Sequence, residues 1–297
     1  MSSQQHPLAD RTLVVSGGSR GIGLAIALGA ARLGANAVLL AKTSEPHPKL
    51  PGTVHTAVAD VEAAGGKGLA VVGDVRNEDD VQRAVDAAVE RFGGIDVVVN
   101  NASAIATEPT ERLSAKKFDL MMDINVRGTF LLTKAALPHL RESPNPHVMT
   151  LAPPLNLSPH WLGAHPVYTL SKYGMTLLSL GWAAEYASER AGAGIGFSCL
   201  WPQTYIATSA VGNLADGTLV ERSRSTDIMA DAAVAVLTKP AADANGRCFI
   251  DADVLAGEGI TDLSRYGGGD DPMWDIFVDK PGGVDKPGGV DKPGGVD

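Results

Sequence analysis

Seven short apolar runs recur along the chain: Thr12–Ser16, Ala37–Ala41, Leu69–Gly73, Asp96–Asn100, His147–Leu151, Gly196–Leu200 and Arg247–Asp251. The stretches between them predict helices over Gly21–Leu33, Thr56–Ala64, Glu78–Phe92, Ala115–Leu140, Val167–Arg190 and Thr226–Leu237. Runs such as Leu13-Val14-Val15 and Val97-Val98-Val99 are apolar throughout rather than alternating, which marks strands buried on both faces. Strict alternation of strand and helix implies a parallel sheet flanked by helices, and right-handed crossovers wind it in both directions. The predicted fold class is therefore α/β: a Rossmann-type, doubly wound, seven-stranded parallel sheet forming a single domain. At 297 residues the chain can enclose one large core. We expect a flexible N-terminus over 1–10, the sheet domain over 11–279, and a disordered tail over 280–297, where KPGGVD occurs three times in tandem. Three segments interrupt the rhythm: the Pro-rich Ser44–Thr53, the apolar Pro153–Pro166, and the polar, mobile Asn213–Ser225. Pro153–Pro166 joins a strand end to a helix, where ligand loops belong.

Charge and composition remove several classes of function. A formal net charge of −9 with scattered basic residues argues against nucleic acid or an anionic membrane as partner. No apolar run approaches the roughly 18 residues of a membrane helix. The polar start Met1–Asp10 has no secretory pattern, and Gly295-Val296-Asp297 is not a peroxisomal signal. These features predict a cytoplasmic protein. Cys199 and Cys248 sit in strand-like runs and read as reduced core thiols. Neither they nor the histidines show metal-ligand spacing, so no metal site is expected.

Three motifs carry chemistry. Ser16-Gly17-Gly18-Ser19-Arg20-Gly21-Ile22-Gly23 follows the first strand and opens the first helix, where backbone N–H groups and the helix N-terminus favour a pyrophosphate. After the second strand an NAD-type site would carry an acid for the ribose hydroxyls. This chain has Leu40-Ala41-Lys42-Thr43 instead. Lys42 and Arg20 suit a 2′-phosphate, so NADP(H) is expected over NAD(H). Finally, Tyr168-Thr169-Leu170-Ser171-Lys172 places a phenol and an ammonium one helical turn apart. An ammonium near the phenol would favour the phenolate and bring its pKa toward the range useful for acid–base chemistry.

Taken in order, the glycine turn, Asp74-Val75, Asn100-Asn101-Ala102, Asn125 and Tyr168/Lys172 resemble the short-chain dehydrogenase/reductase family over Arg11 to Ala256. Further strings (AKTSEPHPKLPGT, GGIDVVVNNASAI, PPLNL, TLSKYGM, LWPQT) resemble a subgroup whose animal members carry a sterol-carrier domain afterwards, for which this chain is too short. The resemblance implies an oxidoreductase interconverting an alcohol and a ketone or aldehyde on a small, apolar or lipid-like substrate. It also implies a homodimer or homotetramer. By the same resemblance Gly17, Ser19, Arg20, Gly21, Ile22 and Gly23 line the phosphates, Lys42 and Thr43 contact the adenosine phosphate, and Asp74 and Val75 flank adenine. Asn101, Ala102 and Ser103 lie along the ribose, while Pro202, Ile206 and Thr208 lie near the carboxamide. Tyr168 is the general acid/base, Lys172 also binds the nicotinamide ribose, and Asn125 holds a water in a proton relay.

One departure bears on catalysis. Where the family has a serine after its fifth strand, this chain reads Ala152-Pro153-Pro154, with two extra residues before Tyr168. Asn156 or Ser158 supplies a substitute donor if the loop folds back. Ser103 and Gln203 each replace a glycine. Trp161 and Leu162 either line a substrate pocket or cap the core, His160 and His165 read as bystanders, and Trp182 and Tyr186 as core or subunit contacts. The rival reading is an NADP(H)-binding module with little or no turnover.

Overall fold

The computed structural model describes residues 6–48, 50–187, 194–212 and 217–280. Seven parallel strands pair in the order β3-β2-β1-β4-β5-β6-β7, the doubly wound arrangement expected. They are β1 Thr12–Ser16, β2 Asn36–Ala41, β3 Lys67–Val72, β4 Val97–Asn100, β5 His147–Thr150, β6 Gly196–Trp201 and β7 Arg247–Ile250. The five inner strands are buried along their whole length, whereas β3 and β7, at the edges, are partly exposed. Successive residues serve opposite faces. Leu13, Val15, Leu39, Val97 and Val99 pack in one core. Val14, Val38, Leu40, Val98 and Val148 pack in the other.

The helices that fill those faces are α1 Gly21–Ala31, α2 Val54–Ala63, α3 Glu78–Phe92, α4 Ala115–Met121, α5 Thr129–Leu140, α6 Pro159–Ala164, α7 Pro166–Glu185, α8 Ser209–Gly212, α9 Gly217–Glu221, α10 Asp227–Leu237, α11 Ala241–Ala244 and α12 Asp251–Gly257. Their ends follow local chemistry. Thr53 and Thr56 form a reciprocal capping box that starts α2 two residues before the sequence pattern predicts. Asn77 caps α3, three acids occupy its first turn, and Gly93 ends it in a left-handed conformation.

Four expectations change. The single helix predicted over Ala115–Leu140 is broken by a π-turn, Met122–Gly128, between α4 and α5. At its end Gly128 packs closely on Val75, where a Cβ would lie 2.9 Å from Val75 Cγ1. Pro153–Pro166 is not all loop, since Pro159 starts α6. Gly217–Glu221 is helical within the polar segment expected to be mobile, whose residues 213–216 lie outside the described region. The packed unit begins before Arg11, because Leu8 is buried in the core. The tail beyond Lys280 also lies outside the described residues. Cys199 and Cys248 are free thiols facing each other across β6 and β7. Trp182 packs on Phe197 in the core, with Tyr186 stacked on the same ring. Among the described residues no helix is long and apolar enough to cross a membrane.

Candidate active site

A cleft of about 570 Å³ opens at the carboxyl ends of β1, β2, β4, β5 and β6. This is the edge where doubly wound sheets bind ligands, and the volume suits a dinucleotide-sized guest. Every residue assigned to the cofactor by sequence lines it except Gly23. Gly23 serves packing instead: a Cβ there would fall 2.5 Å from Asn101 Nδ2 and 2.9 Å from the Gly17 carbonyl.

The glycine turn is built to approach a ligand. Gly17 and Gly21 have φ of 68° and 59°, which side-chain-bearing residues rarely adopt. The turn is anchored from both sides. Gly17 N–H donates to the Leu40 carbonyl at 2.8 Å, and Asn101 Nδ2 donates to the Ser16 and Gly17 carbonyls at 2.9 and 3.2 Å. Asn101 thus lines the cleft while its amide holds the turn in shape. At the start of α1, Arg20 makes no side-chain cap, so the first-turn N–H groups remain available to an anion. These features fit a pyrophosphate.

At the adenosine end, Arg20 Nη2 donates to the Gly52 carbonyl at 3.0 Å, while its buried Nε has no partner. Lys42 Nζ lies 3.5 Å from Asp74 Oδ2 with its side chain 58% exposed. Asp74 is the hub of this corner. Arg76 grips both its oxygens, with a closest approach of 2.7 Å, and together with Lys42 holds the carboxyl down at about 2. Asp74 therefore remains ionised and already paired.

The chemical end departs from the simple Tyr–Lys picture. Tyr168 and Lys172 both line the cleft from α7 and are nearly buried. Lys172 Nζ, however, donates to the Leu151 carbonyl at 2.8 Å and sits 5.2 Å over the Trp201 ring. Burial brings its pKa down to about 7. The Tyr168 phenol is pushed up by burial, then by the Asp275 carboxyl and Tyr205, and only the Ser103 hydroxyl favours the phenolate. The Lys172 ammonium is held on the Leu151 carbonyl rather than on the phenol. Asn125 does not line the cleft. Its Oδ1 accepts from Ala104 N–H at 2.7 Å, and its Nδ2 donates to the Ala104 carbonyl and Ser171 Oγ at 3.0 and 2.9 Å. Its side chain braces the loop after β4 against α7 and so is not free for the relay expected of it.

A family profile described as short chain dehydrogenase matches residues 11–217. The chain belongs to that family. The chain is 49% identical to hydroxysteroid dehydrogenase-like protein 2 of Xenopus tropicalis over 92% of its own length and 64% of that protein's. It is 46% identical to the Homo sapiens protein of the same name, over 87% and 60%. It thus spans less than two thirds of the length of these curated relatives. Among solved structures, a short-chain dehydrogenase from Mycobacterium thermoresistibile superposes with a TM-score of 0.86 at 49% identity, covering 92% of this chain and 97% of the other. A 3-oxoacyl-[acyl-carrier protein] reductase from Brucella melitensis, solved with NAD, gives 0.67 at 25%, covering 84% and 96%.

At the end of β5 the chain turns away from the cleft after Leu151. Ala152 is fully buried against Met175 and Cys199, and neither it nor Pro153 nor Pro154 lines the cleft. The proposed substitutes are also elsewhere. Asn156 Nδ2 donates to the Phe277 carbonyl and to Asp279 Oδ2, its Oδ1 accepts from Ser158 N–H, and neither residue reaches the cleft. Of the loop residues, His165 lines the cleft, with Nδ1 3.1 Å from the Thr107 carbonyl. Trp161 and Leu162 do not line it, and Trp161 caps the structure behind it, with Nε1 on Asp279 Oδ1 at 2.8 Å and its ring on Phe277.

What holds these groups is a strap that sequence reasoning missed, Asp271 to Asp279. Its backbone adds beside the segment after β6: Tyr205 N–H donates to the Met273 carbonyl, and Asp275 N–H to the Gln203 carbonyl at 3.0 Å. Trp201 Nε1 donates to the Ile276 carbonyl at 3.1 Å. Phe277 is the rivet, 2% exposed and in ring contact with Tyr168, Tyr173, Trp161 and Trp201. Asp275 and Ile276 thereby enter the wall of the cleft, joined by Trp201, Tyr205 and Ile105. The aromatic run Met273-Trp274-Asp275-Ile276-Phe277 after a Gly-rich stretch was the only sequence signal for it.

Proposed function

We propose that the protein is an NADP(H)-dependent oxidoreductase that interconverts an alcohol and a ketone or aldehyde on an apolar, lipid-like substrate. One observation carries this reading: a single cleft joins the uncapped glycine turn, the cationic Arg20/Lys42 corner and the Tyr168 phenol. The bound nicotinamide would supply or accept the hydride. The chain's own residues do the rest. Gly17 to Ile22 hold the pyrophosphate, and Arg20 and Lys42 face the position where NAD-type sites carry an acid. Lys172, which lines the cleft, would hold the nicotinamide ribose. Tyr168 holds the proton given to, or taken from, the substrate oxygen. Burial keeps the Tyr168 phenol protonated at neutral pH, so it has a proton to give once a bound substrate and cofactor draw on it. Ile105, Trp201, Ile206 and Ile276 give the reaction end an apolar wall. A homo-oligomer in the cytoplasm completes the proposal.

The binding-module reading draws on one observation, the lack of a side-chain hydroxyl in Ala152-Pro153-Pro154 after β5. The experiment that separates them is NADPH oxidation over a panel of ketones and 3-oxoacyl esters, with Tyr168→Phe as control. Turnover reduced at least about 100-fold by that change is expected. NADPH binding without Tyr168-dependent turnover on any of the panel would overturn the enzyme reading.

A further inference from the structure

We propose that the Asp275 carboxyl is the second hydrogen-bond donor of the reaction site, bonding the same substrate oxygen as Tyr168 and standing in for the hydroxyl absent after β5. This rests on the carbonyl-reducing reading above.

Place comes first. Asp275 lines the cleft with Tyr168 and Lys172 and is only 8% exposed. Its backbone is pinned by the Gln203 carbonyl on one side, and two residues on, Phe277 stacks on Tyr168 at 6.3 Å between ring centres. The carboxyl is thus fixed relative to the phenol by the strap. Its Oδ1 accepts from Ile276 N–H at 2.8 Å, and no described residue bonds Oδ2. One oxygen remains for a guest in the cleft.

Charge comes second. The titratable groups facing Asp275 are Tyr168 and Lys172 from α7, Tyr205 from the segment after β6, and Asp251 from the start of α12. Lys172 is the sole cation among them, and its ammonium is already committed to the Leu151 carbonyl. Burial, reinforced by Asp251, raises the Asp275 carboxyl to about 7 against the weaker pull of Ile276 N–H and Lys172. A carboxyl buried without full compensation takes up a proton, and a neutral carboxylic acid donates where a carboxylate only accepts. Such an acid can serve as an oxyanion donor.

The protons balance simply. In reduction Tyr168 transfers its proton to the substrate oxygen as the hydride arrives at carbon, and Asp275 keeps its own proton while sharing it with that oxygen. An ionised Asp275 would instead repel the growing negative charge. Reduction should therefore weaken as pH rises through the Asp275 titration.

The test uses the NADPH-loaded protein with 2-decanone as probe, comparing wild type, Asp275→Ala, Asp275→Asn and Tyr168→Phe. Asp275→Ala should lower kcat about 100-fold with NADPH affinity unchanged. Asp275→Asn, whose amide still donates, should recover most of that rate. Asp275→Ala within threefold of wild type, or Asp275→Asn no faster than Asp275→Ala, overturns the proposal. A readout independent of turnover is the infrared difference between wild type and Asp275→Asn. A protonated-carboxyl band is expected at about pH 6 and should shift when 2-decanone is added. Absence of the band, or of the shift, also overturns it. If no carbonyl is reduced, or Tyr168→Phe is as fast as wild type, the enzyme reading fails while the band still decides the state of Asp275.

Discussion

Replacing Lys42 by alanine should weaken NADPH far more than NADH, and the structure sets the size of the effect. The ammonium lies 3.5 Å from Asp74 with its side chain 58% exposed, so it works in a largely aqueous setting. A charge-assisted hydrogen bond to a phosphate contributes about 1.5–3 kcal/mol. Giving up the exposed pair with Asp74 subtracts about 0.2–1 kcal/mol. A net of about 1–2 kcal/mol remains, or a loss of roughly 5- to 30-fold in NADPH affinity. Asp74 stays held by Arg76, so the corner itself should not rearrange. The assay is fluorescence titration of both cofactors at low and high salt, where screening should narrow the wild-type preference. Arg20→Ala should act in the same direction and more strongly, because a guanidinium binds phosphate with two parallel donors. An unchanged NADPH-to-NADH ratio in Lys42→Ala, or an equal loss for both, refutes the reasoning.

Other outcomes follow from the packing. Gly23→Ala forces a methyl to within 2.5 Å of Asn101 Nδ2 and should cost about 1–3 kcal/mol while abolishing dinucleotide binding; an alanine variant that binds normally in titration would contradict it. Phe277→Ala empties a buried ring site and should destabilise the strap by about 3–5 kcal/mol, seen as faster proteolysis between Gly267 and Lys280 and a lower Tm; unchanged proteolysis counts against the riveting role. His147 is fully buried on β5, and burial drops its pKa to about 4 from an ordinary 6.5. The unfolded chain therefore binds the extra proton first. This contribution is intact above about pH 6.5 and is lost as pH falls toward 4, by up to about 3 kcal/mol. Denaturant midpoints of wild type against His147→Gln over that window check it: the variant should show a shallower decline, and parallel declines would sink the assignment.

The sheet was legible because its determinants are local. Uninterrupted runs such as Val97-Val98-Val99 can only be doubly buried strands, and glycines at the β1–α1 turn can only mean close approach. The residues lining the cleft follow from the same fact, since they cluster at strand ends whose order the pattern already implies. Three things were not legible. The π-turn around Asn125 adds a wider turn without breaking the helical run, so Ala115–Leu140 reads as continuous. The Lys172 ammonium was read from its spacing to Tyr168, yet its partner is a carbonyl on another element, which spacing cannot show. Asp275 meets Tyr168 only because backbone pairing with Gln203 and Tyr205 folds the strap over the cleft. A contact between such distant parts of the chain leaves no periodic trace.

The strap also gives the site an order of assembly. During synthesis the glycine turn emerges well before Phe277, so a nascent chain can form that turn before the far wall of the cleft exists. Trp201, Tyr168 and Trp161 remain without their shared ring until the ribosome has passed Asp279. A chain cut short before Asp271 would keep every strand of the sheet and lack Asp275. The strap's side of the cleft is thereby the last part of its wall to be made.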